Sequence, residues 1–284
     1  MPKTGGYKYD LAVAYRIYPG ISKTPLVYAD DKYQLARLCL RSFKQCLGDL
    51  KVKMLVILDG CPPEYKQLFT ELFNEVDLVF HVYDGIGNQA TFNEQIDWLL
   101  QQEDTETVYL AEDDYFYLPG QFPAMIDFLN SGHDVDFITP YDHPDYYSRP
   151  FHRPPAMTRE YGRRRWRTAQ STCLTFLTTK ASLQLTAGLF RSFARGNHDH
   201  ALWAALTKFS GMRIWDHAAT AFKEIYYLKL LYLTWRYGGR QISCGKKWRL
   251  WAPTPAIATH IESSGIAPTV DWMVEISKQE KEKT

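Results

Sequence analysis

The apolar run Thr107-Val108-Tyr109-Leu110-Ala111 ends abruptly in three acids, Glu112-Asp113-Asp114. Adjacent carboxylates repel one another and resist desolvation beside a core. At the exit of a buried strand they are tolerable when a divalent cation or a cationic ligand neutralises them. Hard cations such as Mg²⁺ and Mn²⁺ favour oxygen ligands and complete their shells with water and phosphate. The triplet therefore points to a metal–diphosphate site, and the plainer alternative is a solvated acidic loop. Context has to decide between them.

Other residues could do chemistry. Asp59-Gly60 and Asp84-Gly85-Ile86-Gly87-Asn88 also follow apolar runs. The Gly85/Gly87 pair lacks the further glycine and the strand–helix placement of a dinucleotide fingerprint, so no Rossmann cofactor is expected. In Gly196-Asn197-His198-Asp199-His200-Ala201-Leu202-Trp203, Asn197 is placed to cap a helix with Asp199 in its first turn. His198-Asp199-His200 is open to a metal-site reading, for which such spacing is weak support. Two basic clusters stand out: Arg159, Arg163, Arg164, Arg165 and Arg167, then Lys246, Lys247 and Arg249. Each reads either as a solvated face or as a grip on an anionic group, the first as a mobile loop folding over a diphosphate.

The elements that must position these residues alternate regularly in the first half. Asp10 to Tyr18 reads as a strand, 31–47 as a helix, Val52 to Leu58 as a strand buried on both faces, and the segment opened by Pro62-Pro63 as a helix. Leu78 to Val82 is a third strand, Gln89 to Gln101 a third helix, and 107–111 the strand that delivers the acids. This β-α-β-α-β-α-β series is the pattern of a parallel sheet covered by helices, which binds ligands beyond the carboxyl ends of its strands. Asp59, Asp84 and the triplet all fall at such ends. The second half is less regular. Short strands are expected at 137–140 and 172–178 and helices at 180–193 and 199–209. Residues 141–170 read as a long loop, and the chain beyond Lys278 as frayed.

Composition excludes some classes. Lys and Arg total 33 against 32 Asp and Glu, a net charge of +1, which gives no pull towards nucleic acid. The five cysteines are scattered and form no CxxC pair, so a disulfide or zinc framework is not expected and a reducing compartment fits better. Met1 to Tyr9 has no apolar signal-peptide region, and no stretch has the length of a membrane span. The expected location is cytoplasmic. Tyr226, Tyr227, Leu230, Leu231, Tyr232, Trp235 and Trp248 beside the second basic cluster suit peripheral contact at the inner face of a membrane, and equally a core helix.

The series from strand 1 through Asp59-Gly60 and Gly87-Asn88 to Glu112-Asp113-Asp114 resembles the nucleotide-binding half of GT-A fold glycosyltransferases, especially the family-2-like ones, with the triplet as its DxD-type motif. The resemblance covers roughly 10–120 well and the rest through scattered anchors. It implies a Rossmann-like, mostly parallel central sheet flanked by helices. The nucleotide-sugar-binding half would be 1–120, and 121–284 an irregular acceptor-binding and catalytic half of one continuous domain. It implies a metal-dependent, inverting glycosyltransferase of hexosyltransferase type. Such an enzyme would use Mn²⁺ or Mg²⁺ to move a sugar from a nucleotide-sugar donor, UDP-sugar favoured, to a hydroxyl of a glycan or lipid-linked acceptor.

Carried over residue by residue, Tyr15, Arg16 and Asp59 would hold base and ribose, Asn88 would line the donor pocket or cap a helix, and Glu112 or Asp113 would contact the sugar-nucleotide. Asp114 would bind the metal, and His260, in Pro255 to Ser264, would return to the metal or diphosphate. Asp199 would be the general base, with Asp216 in reserve. Two other functions remain open: a metal-dependent hydrolase built on His198, Asp199 and His200, and a sugar-nucleotide-binding protein without catalysis.

Overall fold

A computed structural model describes residues 6–21, 24–73, 77–132, 134–148, 156–208 and 225–281. The first half contains β1 (Leu11–Ile17), α1 (Lys32–Leu47), β2 (Val52–Asp59), α2 (Glu64–Leu72), β3 (Leu78–Tyr83), α3 (Asn88–Leu100) and β4 (Thr107–Glu112). This is the order expected from periodicity. Helix α1 starts where the Asp31 carboxylate accepts from the Gln34 amide, and it ends at Gly48, whose positive φ lets the chain turn away.

Strands β3, β2, β1 and β4 lie side by side and parallel. Strand periodicity then sorts their side chains. Leu11, Val13, Tyr15 and Ile17 of β1 join Tyr109 and Ala111 of β4 in the core under α1 and α2. Ala12, Ala14, Val108 and Leu110 join the core under α3. The buried Gln95 of α3 donates to the carbonyls of Ala14 (2.6 Å) and Ala111 (3.0 Å), fixing α3 across the ends of β1 and β4.

The second half contains β5 (Tyr115–Tyr117), α4 (Phe122–Leu129), β6 (Phe137–Ile138), α5 (Asp145–Ser148), β7 (Thr158–Tyr161), β8 (Arg164–Ala169), β9 (Phe176–Thr179) and α6 (Lys180–Phe190). A 3-10 turn at Arg191–Arg195 leads into α7 (Asp199–Thr207), α8 (Ile225–Cys244), β10 (Leu250–Thr254), β11 (Ala258–His260) and α9 (Trp272–Lys281). Five of these strands extend the same sheet, in the order β3-β2-β1-β4-β9-β6-β10-β8-β7. Only β9 and β8 run against the other described strands of the sheet. The expected fold class, a mostly parallel sheet flanked by helices, is the one observed. Strand β5 pairs with β11 in a small separate ribbon that returns His260 beside the acids after β4.

Two expectations about local structure are corrected. Residues 158–169, read as part of a long loop, form the β7–β8 hairpin at the sheet edge. Its apolar signal is thin: in β8 only Trp166 and Ala169 are buried, and Trp166 stacks on Phe128 at 4.2 Å. Arg159 pairs with Asp134 at 2.7 Å, and Arg164 donates to Gln121 and to the Pro255 carbonyl. Strand β8 lies four places from β4, about 20 Å across the sheet. The arginines therefore belong to a pinned hairpin rather than to a loop closing over the triplet. The second correction is at the C-terminus. Residues 278–281 continue α9, held by buried Ile276 and Gln279 and by the Trp272 indole, which donates to the Ala267 carbonyl at 2.8 Å.

Helix α8 packs on α7 through Ala201, Ala204, Tyr227, Leu230 and Leu233. At Gly238 an added Cβ would meet the Ala205 Cβ at 2.3 Å. Gly238→Ala is therefore expected to destabilise by about 1–3 kcal/mol despite alanine's better helix propensity. A thermal melt checks this, and an unchanged or raised Tm would show the helices are not that close.

Candidate functional site

A cavity of about 370 Å³ opens beyond the carboxyl ends of β1, β2 and β4, lined by residues that include Arg16, Tyr18, Asp59, Gly87, Asn88, Glu112, Asp113 and Asp114. Register explains how they meet. Arg16 is the direct partner of Glu112 across β1 and β4. Both lie on the α3 face, one step beyond Ala14 and Leu110, which pack under that helix. The guanidinium pairs with Glu112 Oε1 at 2.5 Å and donates to the Asn88 carbonyl at 2.8 Å and to the Asn88 side-chain oxygen. The other Glu112 oxygen accepts from the Thr175 hydroxyl at 2.8 Å.

Asp59 ends β2 on the same face. Its carboxylate accepts from the Ile86 amide at 2.6 Å and the Gly87 amide at 2.8 Å. The loop that gives those amides turns at Gly85 and Gly87, with φ of 90° and 87°, where only glycine is unstrained. Asp59 thus shapes the loop that leads into α3, and it lines the cavity. Asn88 is the first residue of α3, and Gly87 is its N-cap.

Asp113 falls on the opposite face of β4, towards α1. Lys32, in the first turn of α1, reaches it at 2.7 Å, and the Tyr18 amide donates to it at 3.3 Å. Burial works against the Lys32 charge, yet the adjacent Asp113 carboxylate outweighs it and raises the ammonium pKa. Burial raises the Asp113 pKa from its ordinary value, with Lys32 opposing and Asp114 adding repulsion. Lys32 escaped the sequence reading. Its signal was a lysine in a helix's first turn, where the dipole disfavours a cation unless an acid holds it.

Asp114 stands between this cavity and a smaller one lined by Lys32, His260 and Glu262. Its Oδ2 pairs with His260 Nε2 at 2.9 Å, and Glu262 lies 3.6 Å from the other ring nitrogen. Burial would raise the Asp114 pKa, but His260, Lys32 and Arg16 outweigh it and hold the carboxyl below its usual range. Asp114 Oδ1 is buried with no hydrogen-bond partner among the described residues. Such an oxygen is costly unless a ligand completes it.

Asp199 opens α7. Its carboxylate pairs with His198 Nδ1 at 2.6 Å and accepts from the His200 amide at 2.6 Å. Burial pushes the Asp199 pKa up, and the His198 contact more than reverses it, leaving the carboxyl below its ordinary value. His198 is raised by the same contact. Burial pushes His200 down to about 4, so its imidazole is neutral. The N-cap is His198 rather than Asn197, whose side chain turns back to Ser192 Oγ at 2.8 Å.

Residues 173–175 touch both regions. Burial raises the Cys173 pKa most, and the charges of Asp199, Glu112 and Asp114 add to it. The Cys173 carbonyl accepts from the Trp203 indole of α7 at 3.3 Å, and two residues on Thr175 holds Glu112.

The structure thus gathers Arg16, Asp59, Asn88, Glu112, Asp113 and Asp114 around one cavity, with His260 on Asp114. It does not bring Tyr15 there: that ring is buried on the α1 side and packs edge-on against Phe69 at 5.4 Å. Asp216 lies outside the described residues. Among the described residues no three His, Cys, Asp or Glu are grouped to hold a metal ion, either at His198, Asp199 and His200 or at the triplet.

No protein-family model matches the chain, and no curated protein matches it in sequence. Among solved structures it is similar to S. aureus TarS 1–349 in complex with UDP-GlcNAc, at 14% identity and a TM-score of 0.42, over 65% of this chain and 53% of that one. It is also similar to the galactosyltransferase LgtC in complex with donor and acceptor sugar analogues, at 10% identity and a TM-score of 0.37, over 71% of this chain and 64% of that one. A third is 4-diphosphocytidyl-2C-methyl-D-erythritol synthase from Anaerococcus prevotii, at 8% identity and a TM-score of 0.42, over 96% of both chains. The first two alignments span less than two thirds of the proteins they match. At such scores the chemistry has to be read from the site itself.

Proposed function

We propose that this chain is a glycosyltransferase that moves a hexosyl group from a nucleotide-sugar, UDP-sugar favoured, to a hydroxyl of a glycan or lipid-linked acceptor, with inversion and with a divalent cation. The observation that carries this reading is the cavity at the strand ends. It combines a guanidinium, a glycine-shaped loop and the Asp114 carboxylate, one of whose oxygens is buried with no hydrogen-bond partner among the described residues.

Asp114 and His260 fit a divalent cation: one orphaned carboxylate oxygen and one imidazole, with the remaining positions left to diphosphate and water. When bound, the cation would offset charge growing on the nucleoside diphosphate as it leaves. Arg16, held by Glu112 and Asn88, presents positive charge to the same cavity. Asp59 holds the Gly85–Gly87 loop where base and ribose would lie. Lys32 neutralises Asp113, so the triplet keeps its fold without overloading the site with negative charge.

Asp199 would take the proton of the acceptor hydroxyl as that oxygen attacks the anomeric carbon. Its lowered pKa keeps it ionised at neutral pH, and a base this weak takes the proton late, as the new bond forms. His198⁺ is what lowers it. The stabilising contact is therefore fully present between the two pKa values. It is lost as pH falls through the lowered Asp199 value, where the acid protonates. It is also lost as pH rises through the raised His198 value, where the imidazole loses its charge. His198→Gln is expected to move the acid limb of the kcat/KM profile upward, towards the ordinary aspartate value of about 4. An acid limb that stays in place would break the link between His198 and the base.

Donor hydrolysis and transfer assays, with and without Mn²⁺ or Mg²⁺, test the whole reading. Turnover that survives chelation would remove the cation. Donor binding with no turnover across a broad acceptor panel would favour a binding protein.

A further inference from the structure

Among the described residues no helix is long and apolar enough to cross a membrane. Helix α8 nevertheless leaves an unusual face uncovered. Leu228, Tyr232 and Trp235, spaced i, i+4, i+7, are 51%, 57% and 37% exposed although the opposite face is packed on α7. Lys229, Arg236 and Arg240, spaced i, i+7, i+11, run beside them on the same outward surface. From Ile225 to Ile261 the sequence holds six Lys or Arg and no Asp or Glu, in a chain whose totals are 33 and 32. Lys246 and Arg249 are spent on Asp136 and Asp134, whereas Lys229, Arg240 and Lys247 have no ion-pair partner among the described residues.

An apolar stripe flanked by unneutralised cations is complementary to a surface that is apolar below and anionic above. We propose that the outward face of α8 docks on an anionic lipid surface. Side chains of this kind bury the stripe at the headgroup boundary while the cations meet lipid phosphates. The location along the fold gives the docking a use. The first turn of α8 touches the partner of the candidate base: Tyr226 packs edge-on to His198 at 6.2 Å, and the Lys229 charge is felt by His198. A head group held at that surface would present its hydroxyl close to Asp199. The acceptor class is then a lipid-linked glycan. That last step rests on the glycosyltransferase reading, and the docking does not.

The test is flotation of the full chain with phosphatidylcholine vesicles and with vesicles of phosphatidylcholine and phosphatidylglycerol. The chain is expected to float with the anionic vesicles, not the neutral ones, and less as salt rises. Arg236→Gln with Arg240→Gln should weaken partition roughly 30-fold, on the basis of the value of one cation near such a surface. Leu228→Ser with the cations intact should weaken it about tenfold. Far-UV circular dichroism confirms folding, and Lys229→Gln with Lys247→Gln is the second pair if the first unfolds. Failure to float, equal flotation on both vesicles, or partition unchanged by the charge and apolar substitutions would overturn the proposal. So would competition-sensitive binding to polyphosphate without vesicle binding, which would assign the face to a soluble polyanion. Flotation needs no donor. Its failure leaves the cavity reading intact, and a chain that floats but binds no nucleotide overturns that reading alone.

Discussion

Asp199→Asn is expected to lower kcat for transfer by about 10²- to 10⁴-fold, the usual contribution of a positioned general base. The substitution keeps the size and removes the charge that His198 faces at 2.6 Å. Because Asp199 belongs to α7 rather than to the strand-end cavity, nucleotide affinity should change by less than about threefold. A loss confined to kcat would identify a group that acts only as the acceptor is activated. Equal losses in donor affinity and kcat would mean that α7 supports the cavity instead. Transfer at the normal rate would remove Asp199 from the chemistry, and attention would move to Asp216.

Asp114→Asn should cut transfer by about 10²- to 10³-fold and abolish the cation's effect on donor affinity, since the charge that would neutralise the leaving diphosphate loses its anchor. The loss should be electrostatic rather than structural. The backbone at this position is fixed independently by the Ile261 amide, which donates to the Asp114 carbonyl at 2.9 Å. A variant with a native melt and no cation response would carry the assignment. A variant that still responds to Mn²⁺ as the parent does would move the cation elsewhere in the triplet.

The parallel half was legible because β1, β2 and β4 are buried on both faces and its strands are separated by amphipathic helices. Once that pattern is read, strand-end acids such as Asp59 and Glu112 must fall at one edge. Alternation along a strand also separates Tyr15 from Arg16. Arg16 and Glu112 share a face with Ala14 and Leu110. Tyr15 shares one with Tyr109, and Asp113 turns to that side, towards Lys32. What was not legible lies in long-range pairing. In the β7–β8 hairpin, β8 has two buried side chains and is otherwise arginine and threonine, so its identity as a strand comes from β10 beside it. The Lys32–Asp113 and Thr175–Glu112 contacts join residues far apart in sequence that local propensity does not connect. Asn197 carried a true capping composition, yet its amide found Ser192 and left the cap to His198.

The central claim is that the strand-end cavity binds a nucleoside diphosphate together with a divalent cation. Two protein donors, Asp114 and His260, are too few to hold a cation tightly alone. Thermal shift with UDP, GDP, CDP and ADP, each with and without Mn²⁺, tests this directly. Mn²⁺ alone should move Tm little. One nucleotide with Mn²⁺ should raise it by on the order of 5 °C at a hundred times Kd, and by clearly more than the sum of the separate shifts. That synergy should vanish in Asp114→Asn. A shift with Mn²⁺ alone that no nucleotide enlarges, or no shift with any nucleotide, would contradict the account.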